Sequence, residues 1–455
     1  MPVDLLIRNA LLVATVDEQR SEIPGGWVAI TDGFVSGVGA SGSEPAALRT
    51  VDATGCLVTP GLVNTHHHLY QNLTRAFPPM TNAALFGWLQ TLYPLWATLD
   101  EESAHVSAWV GLAELALSGC TTSTDHLYVH PAGGGDLLSA EISAATDLGM
   151  RFHPTRGSMS LSEKDGGLPP DSVVQDHDVI LAESQLAVER HHDPTNGAMV
   201  RIALAPCSPF SVTKQLMIES AELAERLDVR LHTHFAENSE DDDYSIATFG
   251  CRPTQYLQDV GWCTSRTWVA HCVMPNPEEV AVLGAAGIGA AHCPSSNLIL
   301  ASGISPVVDL RRAGVHVGLG VDGSSSADSA SMWLEARQAM LLAKLHSGAH
   351  AGTARMALEI ATRGGAGCLG RIGEIGQLSV GAVGDVAVWS LEGPAYAGAL
   401  ADPIEAWLRC GPTAARHTIV HGRLIVEDGA LLSPRVSAML TDHRRLATRM
   451  QRLAS

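Results

Sequence analysis

The segment LVTPGLVNTHHH (57–68) runs from a short apolar, strand-like stretch directly into three consecutive histidines. Side chains alternate along an extended chain, so His66 and His68 are predicted to face one way and His67 the other. Seven further apolar runs follow, most with a helix-like stretch after them, namely TTSTDHLYV (121–129), MRFHPTRG (150–157), VRIALAPC (200–207), VRLHTHFAE (229–237), RTWVAHCV (266–273), GIGAAHCPSSN (287–297) and HVGLGVDG (316–323). Eight alternating units predict an α/β fold, a (β/α)8 TIM-like barrel whose active site lies at the carboxyl ends of the strands.

Both ends of the chain are rich in short strand patterns separated by turn residues. The patterns are DLLIRNALLVAT (4–15), GWVAITDGFVSGVGA (26–40), GDVAVWSL (384–391) and HTIVHGRLIVEDGALL (417–432). Two strand-rich ends around a long middle predict one small β-sandwich domain built from both termini. We therefore expect a sandwich of residues 1–58 and 373–455 and a catalytic barrel of residues 59–372.

The chain of 455 residues carries 48 Asp and Glu against 29 Lys and Arg, for a formal net charge of −19. Negative charge is repelled by phosphate backbones and anionic membrane surfaces, which argues against nucleic-acid and membrane partners. The nine cysteines form no Cys-x-x-Cys pair, and Asp4 and Arg8 interrupt the apolar core that a signal peptide would need. We expect a cytoplasmic protein that forms a homo-oligomer.

Candidate metal ligands and proton carriers stand at the ends of five predicted strands. They are His66 and His68 on the first strand, His234 and Glu237 on the fifth, His271 on the sixth, His292 on the seventh and Asp322 on the eighth. The carboxyl ends of barrel strands meet at one rim, so these side chains are expected to converge. Imidazole nitrogens with a carboxylate suit a divalent ion such as Zn²⁺ or Fe²⁺.

The motifs PGLVNTHHH, HTHFAE, WVAHC, HCPSSN and GLGVDGS, taken in this order, resemble the amidohydrolase superfamily, in the branch that holds cytosine and guanine deaminases and triazine hydrolases. The resemblance covers essentially the whole chain. It implies a single metal ion, with Zn²⁺ expected and Fe²⁺ as the alternative, because the fourth strand lacks the lysine that bridges two metals in many relatives. The implied ligands are His66, His68, His234 and Asp322, with Glu237 and His271 as the proton-handling pair.

A closer resemblance is carried by NTHHHLYQNLTRAFPP, LFGWLQTLYPLWA, RGSMSLSEKDGGLPP and LAPCSPFSVT, which are similar to 8-oxoguanine deaminases. It implies hydrolysis of an oxo-purine to urate and ammonia. One departure is Ala327, which stands where the relatives usually carry an asparagine. The alternatives are a deaminase of isoxanthopterin, guanine or an aminotriazine, a chlorotriazine hydrolase, and, more remotely, a non-catalytic scaffold relative.

Hydrolytic deamination requires an activated water, a base and an acid. Asp322 suits the base because it can touch metal and water together, Glu237 suits the proton shuttle, and His271 can hold the water or the developing oxyanion. The substrate is expected to be a free base rather than a base within DNA. Its edge is predicted to meet Gln71 and Arg156, and its face is predicted to meet an aromatic wall to which Trp88 belongs.

Overall fold

Short apolar runs bounded by turn residues form the strands of the protein. In the computed structural model, which describes residues 1–454, the strands in chain order are β1 (Val3–Arg8), β2 (Leu12–Ala14), β3 (Glu22–Pro24), β4 (Trp27–Thr31), β5 (Phe34–Gly39), β6 (Ala47–Asp52), β7 (Cys56–Pro60), β8 (Leu62–Asn64), β9 (Cys120–Leu127), β10 (Arg151–Ser158), β11 (Ala203–Pro206), β12 (Arg230–Phe235), β13 (Thr267–His271), β14 (Gly289–His292), β15 (His316–Leu319), β16 (Val386–Ser390), β17 (His417–Val420), β18 (Arg423–Glu427) and β19 (Ala430–Leu431).

Helices follow most strands of the middle region. In chain order they are α1 (Leu85–Trp96), α2 (Glu101–Leu117), α3 (Leu137–Leu148), α4 (His177–His191), α5 (Lys214–Leu227), α6 (Ser239–Phe249), α7 (Pro253–Asp259), α8 (Pro277–Ala286), α9 (Pro294–Ile299), α10 (Val307–Ala313), α11 (Ser324–Ala327), α12 (Met332–Ser347), α13 (Ala354–Glu359), α14 (Gly365–Cys368), α15 (Pro403–Cys410) and α16 (Val436–Gln451). Short 3₁₀ segments include Leu69–Thr74, which directly follows the first histidine motif.

Strands β8 to β15 close into a barrel in which every neighbouring pair is parallel. The barrel closes where Leu319 of β15 pairs with Asn64 of β8. Each of the eight strand-like runs contributes one barrel strand, so the predicted (β/α)8 barrel is confirmed. The carboxyl ends of the eight strands form one rim, and that rim carries the histidine motifs.

Strands from both ends of the chain form two further sheets. One has the order β5-β4-β1-β6, and the other has the order β19-β18-β17-β16-β7-β2-β3. A cluster of buried aliphatic side chains joins them, drawing Ile7 and Val58 from the N-terminal part and Val386 and Ile419 from the C-terminal part. The β-structure built from both termini is therefore present, and the division at residues 58/59 and 372/373 stays a prediction.

Two helices that the strand patterns do not predict lie near the C-terminus, namely α15 and α16. Helix α16 packs against α2 and the 3₁₀ segment Leu69–Thr74, close to the rim of the barrel. Its His443 contacts Asn72 through Nε2 and Oδ1 at 2.8 Å. Among residues 1–454, every helix is too short or too polar to cross a membrane.

Candidate metal centre and active site

Four of the predicted side chains meet at the carboxyl-terminal rim of the barrel. Asp322 Oδ1 lies 3.3 Å from Nε2 of His66 and 3.3 Å from Nε2 of His68. Nε2 of His68 lies 3.1 Å from Nε2 of His234. His67 points away, since its Nδ1 accepts a hydrogen bond from the backbone N–H of His68 at 2.9 Å. The alternation along the first motif therefore brings His66 and His68 to one point.

A chain of hydrogen bonds fixes the ring of His66. Nδ1 of His232 lies 2.9 Å from the carbonyl oxygen of Trp268, which can only accept, so this nitrogen carries the proton. Nε2 of His232 must then accept, and it does so from Nδ1 of His66 at 2.8 Å. The remaining nitrogen of His66, Nε2, is left with a lone pair that faces Asp322. Histidines whose second nitrogen is held in this way are oriented for metal binding.

The rings of His68 and His234 are held by backbone carbonyls. Nδ1 of His68 donates to the carbonyl of His126 at 2.8 Å, and Nδ1 of His234 donates to the carbonyl of Cys207 at 2.7 Å. Each ring therefore turns Nε2 toward the common point. The partners His126, His232 and Cys207 were not predicted, because their roles depend on which strands are neighbours in the barrel.

The protonation states at this point suit a cation. Burial lowers the pKa of His234 to about 3 and the pKa of His66 well below its ordinary range, so both rings stay neutral. Three neutral imidazoles and one carboxylate form a ligand set for a divalent metal ion.

The fit to a metal ion rests on a buried atom that lacks a partner. Nε2 of His66 is fully buried and has no hydrogen bond to any described residue. Two groups of side chains include His66 and bring their nitrogen or oxygen atoms within 4.8 Å of one another. One group adds His68, His126 and His234, and the other adds His271 and Asp322. A metal ion at this point would satisfy the unpaired nitrogen, so the residues fit the group that the sequence implies.

Glu237 and His271 lie beside the ligand cluster. Nε2 of His271 is 3.6 Å from Oε2 of Glu237 and 3.9 Å from Oδ2 of Asp322. Nδ1 of His271 lies 3.0 Å from Oδ1 of Asn297, which directs Nε2 toward the two carboxylates. Burial raises the pKa of Glu237 to about 7, so this carboxyl can gain and lose a proton near neutral pH.

Asn297 and Asp241 are functional candidates that sequence reasoning missed. Asn297 lies in helix α9, which follows β14, and Asp241 lies in the first turn of α6. Oδ2 of Asp241 accepts the backbone N–H of Glu237 at 2.8 Å and fixes the loop that presents that carboxyl. The available signal was the spacing of Asp241, four residues after Glu237 at a helix N-terminus. His292, at the end of β14, is buried but does not line the cavity described below.

Several strand ends depart from extended backbone at this rim. Ala236, His271 and Asp322 have φ values of 46°, 70° and 60°, in the left-handed region that non-glycine residues rarely adopt. Such conformations cost free energy and persist where the surrounding structure enforces them, which is common at functional sites. Here they turn the chain sharply at the strand ends that carry Glu237, His271 and Asp322.

A small cavity opens onto the cluster and is walled mainly by apolar and aromatic side chains. The wall comes chiefly from helix α1 and from neighbouring loops, through Leu85, Trp88, Leu89, Tyr93, Tyr128, Phe210 and Leu300. Trp88 and Tyr93 therefore lie where an aromatic ring would stack, whereas Trp96 does not line the cavity and donates from Nε1 to Thr74 Oγ1 at 3.1 Å. The arrangement suits a flat heterocycle held over the metal ligands.

Gln71 lines the same cavity and has a buried side-chain oxygen, Oε1, without a partner among the described residues. Its backbone carbonyl accepts a hydrogen bond from Ser325 Oγ at 2.9 Å, which holds the turn in place. The Gln71 side-chain amide packs directly against Gly323. A Cβ at position 323 would collide with that amide, so the position requires glycine. An unpartnered amide facing a cavity is available to bind a polar edge of a ligand.

Arg156 does not reach this cavity. Its guanidinium donates to Gln175 Oε1 at 2.8 Å and also contacts Glu183 of helix α4, and it lines a separate cavity on the helix side of β10. Three residues earlier on β10, the ring of His153 contacts the ring of Trp268, which stacks on His232 inside the barrel. Alternate residues of a strand face opposite sides, so Arg156 faces the helices. The structure therefore offers no support for the predicted substrate contact of Arg156.

Comparison with known proteins places this geometry in a family. Residues 57–443 match the model of the amidohydrolase family. The chain is 48% identical over 444 residues to an 8-oxoguanine deaminase of Pseudomonas aeruginosa, which covers 97% of this chain and 98% of that protein. It is 36% identical over 421 residues to an isoxanthopterin deaminase of an unknown prokaryotic organism, which covers 88% of this chain and 87% of that protein.

A solved structure shows the same architecture over nearly the whole length. The atrazine chlorohydrolase of Arthrobacter aurescens, complexed with zinc, superposes with a TM-score of 0.93 at 32% sequence identity. The match covers 97% of this chain and 100% of that chain. The match to the family model, the full-length relatives and the shared barrel lead to one conclusion: this chain belongs to the amidohydrolase family.

Proposed function

We propose that the protein is a metal-dependent hydrolytic deaminase that converts 8-oxoguanine, as a free base, to urate and ammonia. The observation that carries the reaction class is the meeting of Glu237, His271 and Asp322 beside a buried set of histidines, under an aromatic cavity. The choice of ring is supported by the 48% identity to a full-length 8-oxoguanine deaminase.

The proposed metal site consists of His66, His68, His234 and Asp322. A divalent ion bound there would lower the pKa of a water molecule so that it can attack near neutral pH. We propose one Zn²⁺ ion, which is supported by the zinc named with the related atrazine chlorohydrolase. Fe²⁺ accepts the same ligands, so metal analysis of the purified protein separates the two ions.

The residues around the ligands supply the proton transfers. Asp322 takes a proton from the attacking water, whose oxygen forms a bond to the aminated ring carbon. Glu237 delivers a proton to the neighbouring ring nitrogen, and His271 donates a hydrogen bond to the developing negative charge. The carbon–nitrogen bond then breaks and the ring keeps a carbonyl group. One proton of the water leaves with the amine as ammonia, and the other restores the proton that Glu237 gave to the ring.

The nine cysteines are all free, which supports the proposed cytoplasmic location because reducing compartments keep thiols unpaired. A homo-oligomer also remains part of the proposal.

A panel of rings tests the proposed substrate. The zinc-loaded protein would be mixed with 8-oxoguanine, isoxanthopterin, guanine, isocytosine and a chlorotriazine, and release of ammonia and chloride would be measured. We expect kcat/KM for 8-oxoguanine to exceed that for each other ring by roughly tenfold or more, since a site built for one set of ring oxygens leaves buried polar groups unpaired with others. Faster turnover of isoxanthopterin, or release of chloride, would show that the proposed substrate is wrong. No ammonia from any ring would show that the protein is not a deaminase.

Gln71 and Arg156 give contrasting predictions for the same assay. The substitution Gln71→Ala is expected to raise KM for 8-oxoguanine by roughly tenfold, because a buried polar edge of the ring loses its partner. The substitution Arg156→Met is expected to leave KM unchanged and to lower the melting temperature, because Gln175 and Glu183 both lose a charged donor. Steady-state kinetics and thermal unfolding check both. A raised KM in the Arg156 variant at normal stability would show that Arg156 contacts the substrate. An unchanged KM in the Gln71 variant would show that Gln71 does not.

A further inference from the structure

Two buried carboxyl groups lie in contact with each other outside the proposed catalytic set. They belong to Asp125 on strand β9 and Glu141 on helix α3, and both side chains are fully buried. Oδ2 of Asp125 and both carboxyl oxygens of Glu141 receive no hydrogen bond from an N–H or hydroxyl donor of the described residues. A buried contact between two such groups requires an explanation, because burial of unpaired charge is costly.

The other oxygen of Asp125 holds the segment that carries the first metal ligands. Oδ1 of Asp125 accepts the backbone N–H of Leu69 at 2.6 Å, and Leu69 directly follows His68. The next residue of β9, His126, donates its backbone N–H to the carbonyl of His67 at 2.7 Å and accepts from His68 Nδ1 at 2.8 Å. Residues 125 and 126 of β9 therefore anchor residues 67–69 through three hydrogen bonds.

One proton shared by the two carboxyl groups explains how they can lie in contact while buried. Two ionised carboxylates cannot lie together in a buried place without a cation, so one of the pair stays protonated. Burial and the charge of Asp125 raise the pKa of Glu141 well above its ordinary value. Burial also raises the pKa of Asp125, to about 8, but the bond that it accepts from the Leu69 N–H opposes this rise and favours its charged form. Of the two groups, Glu141 is therefore the favoured carrier of the shared proton, and Oδ2 of Asp125, which has no other partner among the described residues, is the acceptor within reach.

We propose that Glu141 is a positioning residue for the metal centre. By donating a hydrogen bond to Asp125, it fixes the bond between Asp125 and the Leu69 N–H and so keeps His68 directed at the metal site. The proposal rests on the proposed role of His68 as a metal ligand, but not on the identity of the substrate. Partners of this kind, one step beyond the ligands, typically change metal affinity by roughly tenfold or more when they are removed.

The test compares two substitutions at position 141 by zinc affinity, measured through competition with a chromophoric chelator and without substrate. Glu141→Gln keeps a neutral donor for Asp125 and is expected to bind zinc with the parental affinity. Glu141→Leu keeps the approximate volume but removes the donor, and it is expected to bind zinc roughly tenfold more weakly. Equal affinities for the Leu variant and the parent, or equally weak binding by both variants, would overturn the proposal.

A control separates positioning from general loss of stability. Leu148→Ala removes a buried side chain from the same helix without touching Asp125, and it is expected to lower the melting temperature but not the zinc affinity. If it weakens zinc binding as much as Glu141→Leu does, Glu141 is merely a packing residue and the proposal fails.

A second pair of variants keeps the proposal testable if Glu141→Leu does not fold. Asp125→Asn retains a carbonyl oxygen for the Leu69 N–H and is expected to bind zinc normally, whereas Asp125→Ala is expected to bind roughly tenfold more weakly. Identical affinities for these two variants would overturn the proposal. If the parent protein binds no zinc, the proposed metal site is wrong. If the parent binds zinc but does not convert 8-oxoguanine, only the proposed substrate is wrong.

Discussion

Replacing His234 with alanine is expected to abolish stable metal binding and to lower deaminase turnover by roughly 10⁴-fold or more. His234 is the proposed ligand from strand β12, and its Nε2 lies 3.1 Å from that of His68. Without it, two histidines and Asp322 remain, and the activation of water by the metal, which contributes several kcal/mol to the lowering of the barrier, is lost. Metal content by elemental analysis and kcat for 8-oxoguanine check this expectation.

The control for this variant is a histidine of the same chain that lies away from the rim. His191, at the end of α4, is partly exposed and contacts Ser139 Oγ at 3.0 Å. The substitution His191→Ala is expected to leave metal content and kcat at parental values. Treatment with a chelator followed by zinc should restore the activity of the parent and of His191→Ala but not of His234→Ala. Parental metal content in the His234 variant would contradict the proposed ligand set.

Replacing Glu237 with glutamine is expected to lower kcat by roughly 10³-fold while the metal content stays parental. Glutamine keeps the shape of the side chain but cannot release and recover a proton. Glu237 lies 3.6 Å from His271 and is not among the side chains that surround the metal point. The loss should therefore fall on the chemical step, which pre-steady-state measurement of ammonia release can isolate.

A matched control for Glu237 lies three residues later, in the first turn of helix α6. Glu240 is partly exposed, and the substitution Glu240→Gln removes a charge three residues away without entering the cavity. We expect this variant to show parental kcat and KM. Near-parental turnover by Glu237→Gln would remove the proposed proton shuttle, and loss of metal from that variant would show that Glu237 acts as a ligand instead.

The sequence was sufficient to predict the barrel because eight apolar, strand-like runs follow one another, most of them with a helix-like stretch behind. Alternation in the first motif also places His66 and His68 on one face, and the structure brings both against Asp322. These are local regularities: the period of an extended chain and the order of the strand ends around a barrel. They hold without knowledge of the exact register between strands.

Arg156 shows where that reasoning fails. A position at the end of a strand is near the rim, but the face it presents depends on the phase of the alternation within that strand. Arg156 has the phase that faces α4, where it contacts Glu183. The sequence run MRFHPTRG contains no marker of phase as strong as the paired histidines of the first strand.

The hydrogen-bond partners of the proposed ligands could not be predicted for a different reason. The carbonyls of His126 and Cys207 orient His68 and His234 from neighbouring strands, so their roles depend on register between segments far apart in sequence. The contact of helix α16 with the segment Leu69–Thr74 is also non-local. Strand and helix patterns specify elements, whereas tertiary packing decides which elements meet.

The central claim is that this barrel rim deaminates 8-oxoguanine with a bound metal ion. Its most direct test is a time course in which loss of 8-oxoguanine, formation of urate and release of ammonia are followed together, with zinc-loaded protein and with protein stripped of metal. We predict equal molar amounts of urate and ammonia from the zinc-loaded protein and no conversion by the stripped protein. Conversion that persists after metal removal, or no urate from the zinc-loaded protein, would contradict the claim.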